Sequence, residues 1–382
     1  MRTEAPAPSG LSTEADGSRH VPALDGLRGL AILLVIPHNV MDFDAASGWA
    51  AIPAALARAG WTGVELFFVL SGYLITSVLL GTRDDPHYFR NFYVRRALRI
   101  VPLYYLVLAL FLFVVPRLVA LPPTVLASYD HQLWFWLFLN NWAQATGHMI
   151  SWFGPCWSLA VEEQFYLFWP LVVAACAPER LLRVALALIA YALLARGALL
   201  LAHVPPGGIY RMTICRLDAL AAGAAVAVLA RRPALLAAVR ARSSRLLLAA
   251  AAVLLGGALL SQGYSLEVPA THTLGYTTLA LALAAILLVV LAEPTGAAAR
   301  LLALAPLRSA GRYSYAMYLF HFPLALMIGE RARALLAPAG AAAPALLALL
   351  IVALSWALGA LSYHAFELRF LRLKRFFVPP AG

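Results

Sequence analysis

The sequence has few charged residues for its length. Charged side chains make up 12% of its 382 residues, whereas hydrophobic side chains make up 63%. A soluble globular domain carries about 25% charged residues, so this scarcity excludes that class. Hydrophobic runs of about 20 residues, the length that crosses a bilayer as a helix, recur from residue 24 almost to the C-terminus. The composition therefore predicts an all-α, polytopic membrane protein.

Cysteine is also scarce, and its positions favour no chemistry. Cys156, Cys176 and Cys215 lie in or beside apolar segments and show no metal or disulfide spacing, so we interpret them as small buried side chains. We predict no metal site and no permanently bound cofactor. The net charge of +11 does not indicate nucleic acid as a partner, because the basic residues, almost all Arg, occupy particular loops between apolar runs.

The N-terminal residues lack the features of a signal peptide, which needs a charged start, a short apolar core and a small-residue cleavage site. Residues 1–22 are instead polar and rich in Pro, Ser, Ala and Gly. They are predicted to form a disordered cytoplasmic tail that stays on the chain. Residues 23–366 form the predicted membrane domain, and residues 367–382 a basic cytoplasmic tail.

About ten transmembrane helices are predicted. With the N-terminus in the cytoplasm, most of the 29 basic residues fall in inner segments, as the positive-inside rule requires, so both termini face the cytoplasm. The long outer connection 119–156 has too short an apolar core to span the bilayer, and its Trp, Tyr, Asn and His residues favour the membrane interface. The spans are predicted near residues 24–41, 61–80, 100–118, 157–177, 185–203, 212–230, 246–261, 273–292, 313–329 and 344–363.

Charged side chains in these helices are candidates for functional residues, because the free energy of placing each charge at the centre of a membrane helix is at least about 2.5–3.5 kcal/mol. The first helix carries Arg28 near its inner end and His38 about 15 Å further along its axis. Arg28 either snorkels to lipid phosphates or serves a site. His38 is either a satisfied helix-end histidine or a general base, because imidazole exchanges a proton near neutral pH.

The second helix places Glu65 near the outer face and Ser71 with Gly72 deeper in the membrane. The run around Ser71, VLSGY, lacks the G-x-S-x-G pattern of a nucleophilic serine. We therefore interpret Ser71 and Gly72 as small residues that let two helices approach closely. Glu65 is retained as a supporting residue of the site.

The fourth helix carries two adjacent acids, Glu162 and Glu163, inside an apolar run, with Tyr166 on the same face as Glu162. The carboxylate of Glu162 is expected to orient a histidine, to hold a sugar hydroxyl, or to pair with Arg216 and Asp218 of the sixth helix. A purely structural network of ion pairs is the alternative.

The ninth helix contains several tyrosines and His321 where lipid alone would favour leucine. His321 is either a second catalytic or binding group or a buried histidine bonded to a neighbouring helix. We rank it below His38 as a candidate.

Seven segments, taken in order, are distributed along nearly the whole membrane region. The segments are LDGLRGLAILLVIPH, GVELFFVLSGYLIT, FYVRRALRIVPLYY, WSLAVEEQFYLFWP, RLDALAAG, SYAMYLFHFP and SYHAFELRFL. Together they resemble the acyltransferase-3 family of bacterial membrane proteins. That resemblance implies a ten-helix bundle in the bacterial cytoplasmic membrane that transfers an acyl group, usually acetyl, from cytoplasmic acyl-CoA to a hydroxyl, commonly of a surface glycan.

The family's functional residues fall on Arg28 and His38 of the first helix, on Arg96 and Arg99, and on Glu162. One spacing departs from the family, which usually leaves ten residues between the basic residue and the histidine, whereas nine lie between Arg28 and His38. Ten helical steps leave two residues about 80° apart, against about 20° for eleven. We hypothesise that a kink at Pro37 restores the direction of the histidine.

The resemblance implies a donor site and an acceptor site. Arg96 and Arg99, with Arg95 beside them, are expected either to hold the phosphates of acetyl-CoA or to supply plain positive-inside charge. In this hypothesis Arg28 lines the donor path, and His38 with Glu162 serves the acceptor hydroxyl. The supporting residues are Glu65, Tyr166, Arg216, Asp218 and His321.

Other readings remain open. Within the enzyme class, the acceptor is a surface carbohydrate or a small hydroxylated metabolite such as a macrolide. A transporter is the rival from another class, because buried Arg, Glu and His also mark substrate pathways, but it predicts internal repeats that this sequence does not show. The partners expected besides lipid are acyl-CoA, the acceptor, and a separate extracytoplasmic transferase or a second copy of the chain.

Overall fold

The computed structural model describes residues 21–41, 51–121, 123–148 and 152–378. Helices dominate these residues, and no strand occurs among them. This confirms the predicted all-α polytopic class. The predicted disordered tail lies, up to residue 20, outside the described residues.

Among the described residues, ten long helices form the bundle, and each overlaps one of the predicted spans. They are α1 (Pro22–Val40), α2 (Thr62–Gly81), α3 (Tyr88–Ala109), α4 (Trp157–Ala175), α5 (Pro178–Leu201), α6 (Leu217–Leu229), α7 (Ser243–Leu260), α8 (Tyr276–Ala292), α9 (Ala305–Leu336) and α10 (Ala343–Ser362).

Short helices connect or extend the long ones. They are Ala51–Arg58, Ala59–Trp61, Leu110–Val114, Val115–Leu118, Pro123–Leu126, Ala127–His131, Leu133–Trp136, Asn140–Ala145, Gly154–Cys156, Pro206–Arg211, Thr213–Cys215, Pro233–Ala241, Thr271–Gly275, Ala297–Leu302, Ala337–Ala342, Tyr363–Glu367, Leu368–Leu373 and Lys374–Phe377. The last two, Leu368–Leu373 and Lys374–Phe377, lie in the predicted basic tail and pack against α3.

Seven stretches of the described residues are long and apolar enough to cross a membrane, or eight if α6 and the helix Pro233–Ala241, bent by 106°, form one span. The stretch Ala305–Phe377 contains both α9 and α10, which meet near Gly340. Helix α4 is long enough but is not among these stretches, because its acids and Gln164 lower its mean hydropathy. Hydropathy alone therefore recovers fewer spans than the ten long helices.

Two helix crossings are close because glycine occupies them. A Cβ on Gly29 of α1 would lie 2.0 Å from the carbonyl oxygen of Leu307 in α9, and one on Gly311 of α9 would lie 1.8 Å from the carbonyl oxygen of Asp25. Helices α2 and α6 meet in the same way at Gly72 and Gly223. Small residues let membrane helices approach to backbone contact, so these crossings fix α1 against α9 and α2 against α6.

The connection between α3 and α4 contains no helix longer than six residues in its described part. It folds back onto the bundle through side-chain bonds to its backbone: Tyr104 donates to the carbonyl oxygen of Phe135 at 3.0 Å, and Tyr105 to that of Trp136 at 2.9 Å. Gln164 of α4 donates to the carbonyl oxygen of Phe138 at 2.8 Å. No helix long enough to cross a membrane occurs in the described part of residues 119–156.

Candidate functional site

A small cavity lies toward the end of the bundle that carries Arg28. It has a volume of about 100 Å³. Three helices supply its charged lining, which is Arg28 of α1, Arg96 and Arg99 of α3, and Glu162 of α4, and Ser71 of α2 lies beside them. The sequence predicted these charged residues for the site, and the fold brings them together. We call this space the arginine cavity.

A chain of hydrogen bonds holds the carboxylate of Glu162. Tyr166 donates from its hydroxyl to Ser71 Oγ at 2.9 Å, and Ser71 donates to Glu162 Oε1 at 2.5 Å. The guanidinium of Arg96 lies 4.2 Å from the centre of the Tyr166 ring. Ser71 thus orients a carboxylate, a role that its neighbour Gly72 does not share.

The arginines of this cavity differ in how they are held. Arg28 forms an ion pair with Asp25 one turn earlier, at 3.7 Å, and keeps 26% of its side chain exposed. Nε of Arg96 is buried and has no hydrogen-bond partner among the described residues. Arg95, which was predicted beside them, is not among the lining residues of this cavity.

A larger cavity of about 600 Å³ lies toward the other end of α1. Its lining combines aromatic rings with hydrogen-bonding side chains. We call it the aromatic cavity. Its side-chain lining includes His38, Asn39, Trp61, Gln144, His148, Trp157, Tyr210, Arg211, Glu267, Tyr318 and Phe322.

The tautomer of His38 follows from its contacts. Nδ1 lies 3.0 Å from the carbonyl oxygen of Arg58 and 3.3 Å from that of Ala57. Since a carbonyl only accepts, Nδ1 carries the hydrogen and Nε2 is the basic nitrogen. Pro37 lies inside α1, and His38 lines the aromatic cavity, whereas Arg28 lines the arginine cavity. The kink at Pro37 stays a hypothesis.

His321 is a buried partner of Asn39. Its Nδ1 lies 2.7 Å from the carbonyl oxygen of Tyr318 and therefore donates, so Nε2 accepts a bond of 3.2 Å from Asn39 Nδ2. Asn39 Nδ2 also donates to the carbonyl oxygen of Val35 at 3.1 Å. His321 thus belongs to the second alternative, a histidine bonded to a neighbouring helix, and it orients a side chain of the aromatic cavity.

Tyr318 of α9 lines both cavities. Its hydroxyl donates to the carbonyl oxygen of Pro155 and accepts a bond of 2.7 Å from Ser158 at the start of α4. Only 9% of Tyr318 is exposed. One buried side chain therefore borders both cavities.

Two buried ion pairs lie behind the aromatic cavity. Arg216 pairs with Glu65 at 2.5 Å, and Arg196 pairs with Asp218 at 2.8 Å. Thr277 connects the second pair: it accepts from Arg196 at 2.5 Å and donates to Asp218 at 2.9 Å. The predicted alternative in which Glu162 pairs with Arg216 and Asp218 is wrong, because other helices supply their partners.

Aromatic rings surround the guanidinium of Arg216. Its Cζ lies 4.3 Å from the ring centre of Tyr276, 5.1 Å from that of Tyr210 and between 5.8 and 5.9 Å from those of Trp157 and Trp61. Three of these rings, all except Tyr276, also line the aromatic cavity. The buried pair therefore supports the wall of that cavity.

Several lining residues escaped the sequence prediction. Asn39 follows His38 directly, and Tyr318 lies in the tyrosine-rich run of the ninth helix, so position and composition gave a signal for both. Trp61, Tyr210 and Arg211 come from helix ends and connections that meet only in the folded chain. No local pattern singles them out.

Fold and site together define a polytopic membrane protein in which one side chain borders two cavities, an arrangement that suits a membrane-embedded transferase. Residues 21–362 match the family model described as Acyltransferase domain. The chain belongs to this family, the acyltransferase-3 family, which confirms the resemblance carried by the seven sequence segments.

Named relatives include bacterial O-acetyltransferases. The chain is 28% identical over 326 residues to the peptidoglycan O-acetyltransferase OatA of Listeria monocytogenes, covering 80% of this chain and 49% of that protein. It is 32% identical over 329 residues to the putative peptidoglycan O-acetyltransferase YrhL of Bacillus subtilis, covering 81% and 49%. The O-acetyltransferase OatA of Staphylococcus aureus is 26% identical over 335 residues, covering 82% and 52%.

The chain thus spans about half the length of these relatives. No solved structure matches it.

Proposed function

We propose that this protein is a membrane O-acetyltransferase of the bacterial cytoplasmic membrane that moves an acetyl group from acetyl-CoA to a hydroxyl of a cell-wall glycan. The observation that carries the proposal is that Tyr318 lines both the arginine cavity and the aromatic cavity. The acceptor class follows from the relatives, two of which are named for peptidoglycan.

The arginine cavity serves the donor in this proposal. Coenzyme A carries phosphates, and guanidinium groups such as those of Arg28, Arg96 and Arg99 bind phosphate through paired, charge-assisted hydrogen bonds. A volume of about 100 Å³ is too small for a nucleotide. The thioester end therefore enters the cavity, while the phosphates stay with guanidinium groups at its entrance.

The aromatic cavity serves the acceptor. Its volume of about 600 Å³ falls within the range of about 300–1,000 Å³ typical of small-molecule sites. Aromatic rings such as Trp61, Trp157 and Phe322 pack against the apolar faces of sugars, and Asn39 and Gln144 offer hydrogen bonds to hydroxyls.

His38 is the general base of the transfer. The acceptor hydroxyl gives its proton to Nε2 of His38 as its oxygen attacks the thioester carbonyl. The new ester C–O bond forms, the C–S bond breaks, and the coenzyme A thiolate receives a proton, so atoms and charge balance. The bond from Nδ1 to the carbonyl oxygen of Arg58 holds the ring and favours the protonated form of Nε2 during the step.

Glu162 has a positioning role on the donor side. It lines the arginine cavity, and no contact joins it to His38 among the described residues. Its charge, held by Ser71, helps to place the arginine side chains. This proposal therefore departs from the earlier hypothesis that Glu162 and His38 act together on the acceptor.

The direct test is transfer by the purified protein in nanodiscs. Radiolabelled acetyl-CoA is incubated with peptidoglycan fragments and with neutral glycans or a macrolide, and the label in each product is measured. We expect label in an alkali-labile ester of the peptidoglycan fragment, and Glu162→Gln is expected to raise the KM for acetyl-CoA while Glu179→Gln, at an exposed position of α5, does not.

Label reaching only the macrolide would overturn the acceptor class and keep the enzyme. Uptake of a solute into sealed vesicles, without any acetyl-CoA turnover, would favour a transporter.

A further inference from the structure

Arg211 is a lining residue of the aromatic cavity that the proposed reaction does not use. It ends the short helix Pro206–Arg211, between α5 and α6, on the side predicted to face away from the cytoplasm. Basic residues are scarce on that side, and the positive-inside rule gives no reason for one there. Its position in the cavity wall therefore makes Arg211 a candidate for binding a ligand.

The guanidinium of Arg211 has few partners. Nη1 donates to the carbonyl oxygen of Gly207 at 2.8 Å, one turn earlier. Nε is buried and has no hydrogen-bond partner in the described part of the chain. Arg211 forms no ion pair with any carboxylate there, although the exposed Glu267 lines the same cavity. Its charge is thus left for a ligand.

The surrounding backbone makes room for this side chain and holds it. A Cβ at position 207 would lie 3.0 Å from Arg211 Nη1, so glycine leaves space for the guanidinium. Asn141 donates from Nδ2 to the carbonyl oxygen of Arg211 at 3.2 Å, and Gly208 packs closely on the carbonyl oxygen of Ala145. The short helix is therefore fixed against the helix Asn140–Ala145.

We propose that Arg211 forms an anion subsite in the aromatic cavity, and that the acceptor glycan carries a carboxylate or phosphate group that binds there. This inference rests on the proposed function, because it assumes that the aromatic cavity holds the acceptor. A charged group at Arg211 would fix the sugar in one orientation relative to His38, since arginine forms paired bonds to such groups.

The test compares matched acceptors. Three versions of one peptidoglycan-derived oligosaccharide, with a free carboxylate, an amidated carboxylate, and a phosphate in its place, are given to wild type, Arg211→Gln and Arg331→Gln. Arg331 is an exposed arginine of α9 and serves as the control. The readout is kcat/KM for each acceptor.

We expect wild type to favour the acidic acceptors over the amidated one by roughly 10- to 100-fold, the range for one charged hydrogen-bonding partner. Arg211→Gln should lose this preference and Arg331→Gln should keep it. Carboxylate and phosphate acceptors are separated by which of the two wild type prefers. Equal rates on all three acceptors with wild type, or an equal loss on all three with Arg211→Gln, would overturn the subsite.

A binding measurement keeps this result separate from failure of the proposed reaction. Tryptophan fluorescence reports on the aromatic cavity through Trp61 and Trp157. If the acidic oligosaccharide binds more weakly to Arg211→Gln than to wild type but no transfer occurs, the anion subsite is supported and the proposed reaction is contradicted. If transfer occurs at the same rate whatever the charge of the acceptor, the proposed reaction is supported and the anion subsite is contradicted.

Discussion

The arginine cavity and the aromatic cavity differ in size, in lining and in how their charges are balanced. The first is about 100 Å³ and has three arginines around one carboxylate, whereas the second is about 600 Å³ and is lined mainly by rings and neutral polar groups. A linear thioester that is attached to charged phosphates and a bulky hydroxylated sugar need different surroundings. The difference is the basis of the proposal that each substrate has its own compartment, and the following variants test this division.

The largest effect is expected from His38→Ala. Loss of a general base lowers kcat by about 10²- to 10⁴-fold, while the Kd for acetyl-CoA stays the same, because His38 lines only the aromatic cavity. Steady-state kinetics and isothermal titration with acetyl-CoA measure the two quantities, with His87→Ala, at an exposed position before α3, as the control. A weaker Kd for acetyl-CoA in His38→Ala would break the division between cavities.

The second largest effect is expected from breaking the buried ion pair of Glu65 and Arg216. Glu65→Gln leaves the Arg216 charge unpaired and should cost about 3–5 kcal/mol of stability. The double variant Glu65→Leu with Arg216→Met, which removes both charges, should recover part of this loss. Thermal unfolding in detergent measures the change in Tm.

The matching functional readout separates the cavities, because this pair lies behind the aromatic wall. At temperatures where the variant is folded, the KM for the glycan should rise and that for acetyl-CoA should not. Equal changes in both KM values would contradict the assignment.

Arg96→Gln should affect the KM for acetyl-CoA rather than the KM for the glycan, and its effect on activity should be smaller than that of the variants above. Removing one charged hydrogen-bond donor should raise the KM for acetyl-CoA roughly 10- to 100-fold and leave the KM for the glycan within about twofold. Arg180→Gln, an exposed arginine of α5, is the control. The assignment of Arg96 to the donor fails if the KM for the glycan rises instead.

The smallest effect is expected from Tyr318→Phe. Loss of its hydroxyl leaves the carbonyl oxygen of Pro155 and the hydroxyl of Ser158 without this partner, at a cost of about 1–3 kcal/mol. The looser contact should admit water and raise hydrolysis of acetyl-CoA in the absence of acceptor. Free thiol release measures this leak, and Ser158→Ala, which removes only one bond, should leak less. No leak in either variant would show that Tyr318 does not separate the compartments.

The long helices were predictable because hydropathy acts over a whole span, whereas pairing between helices was not. Glu65, Glu162 and Arg216 were all singled out as costly in a membrane, yet the partner of Arg216 is Glu65 and that of Glu162 is Ser71. Which two side chains meet depends on the rotation and tilt of each helix, and a single sequence carries little information on either. The aromatic cavity was missed for a similar reason, since its walls come from connections that converge only on folding.

The close crossing of α1 and α9 has an evolutionary consequence. Any side chain at Gly29 collides with a backbone oxygen of Leu307, and one at Gly311 collides with that of Asp25. Because every residue type presents the same carbonyl, no substitution in the opposite helix relieves the clash. Correlated substitutions, which often reveal neighbouring residues, should therefore be absent at this crossing, and this close contact should leave no signal in comparisons of coevolving positions.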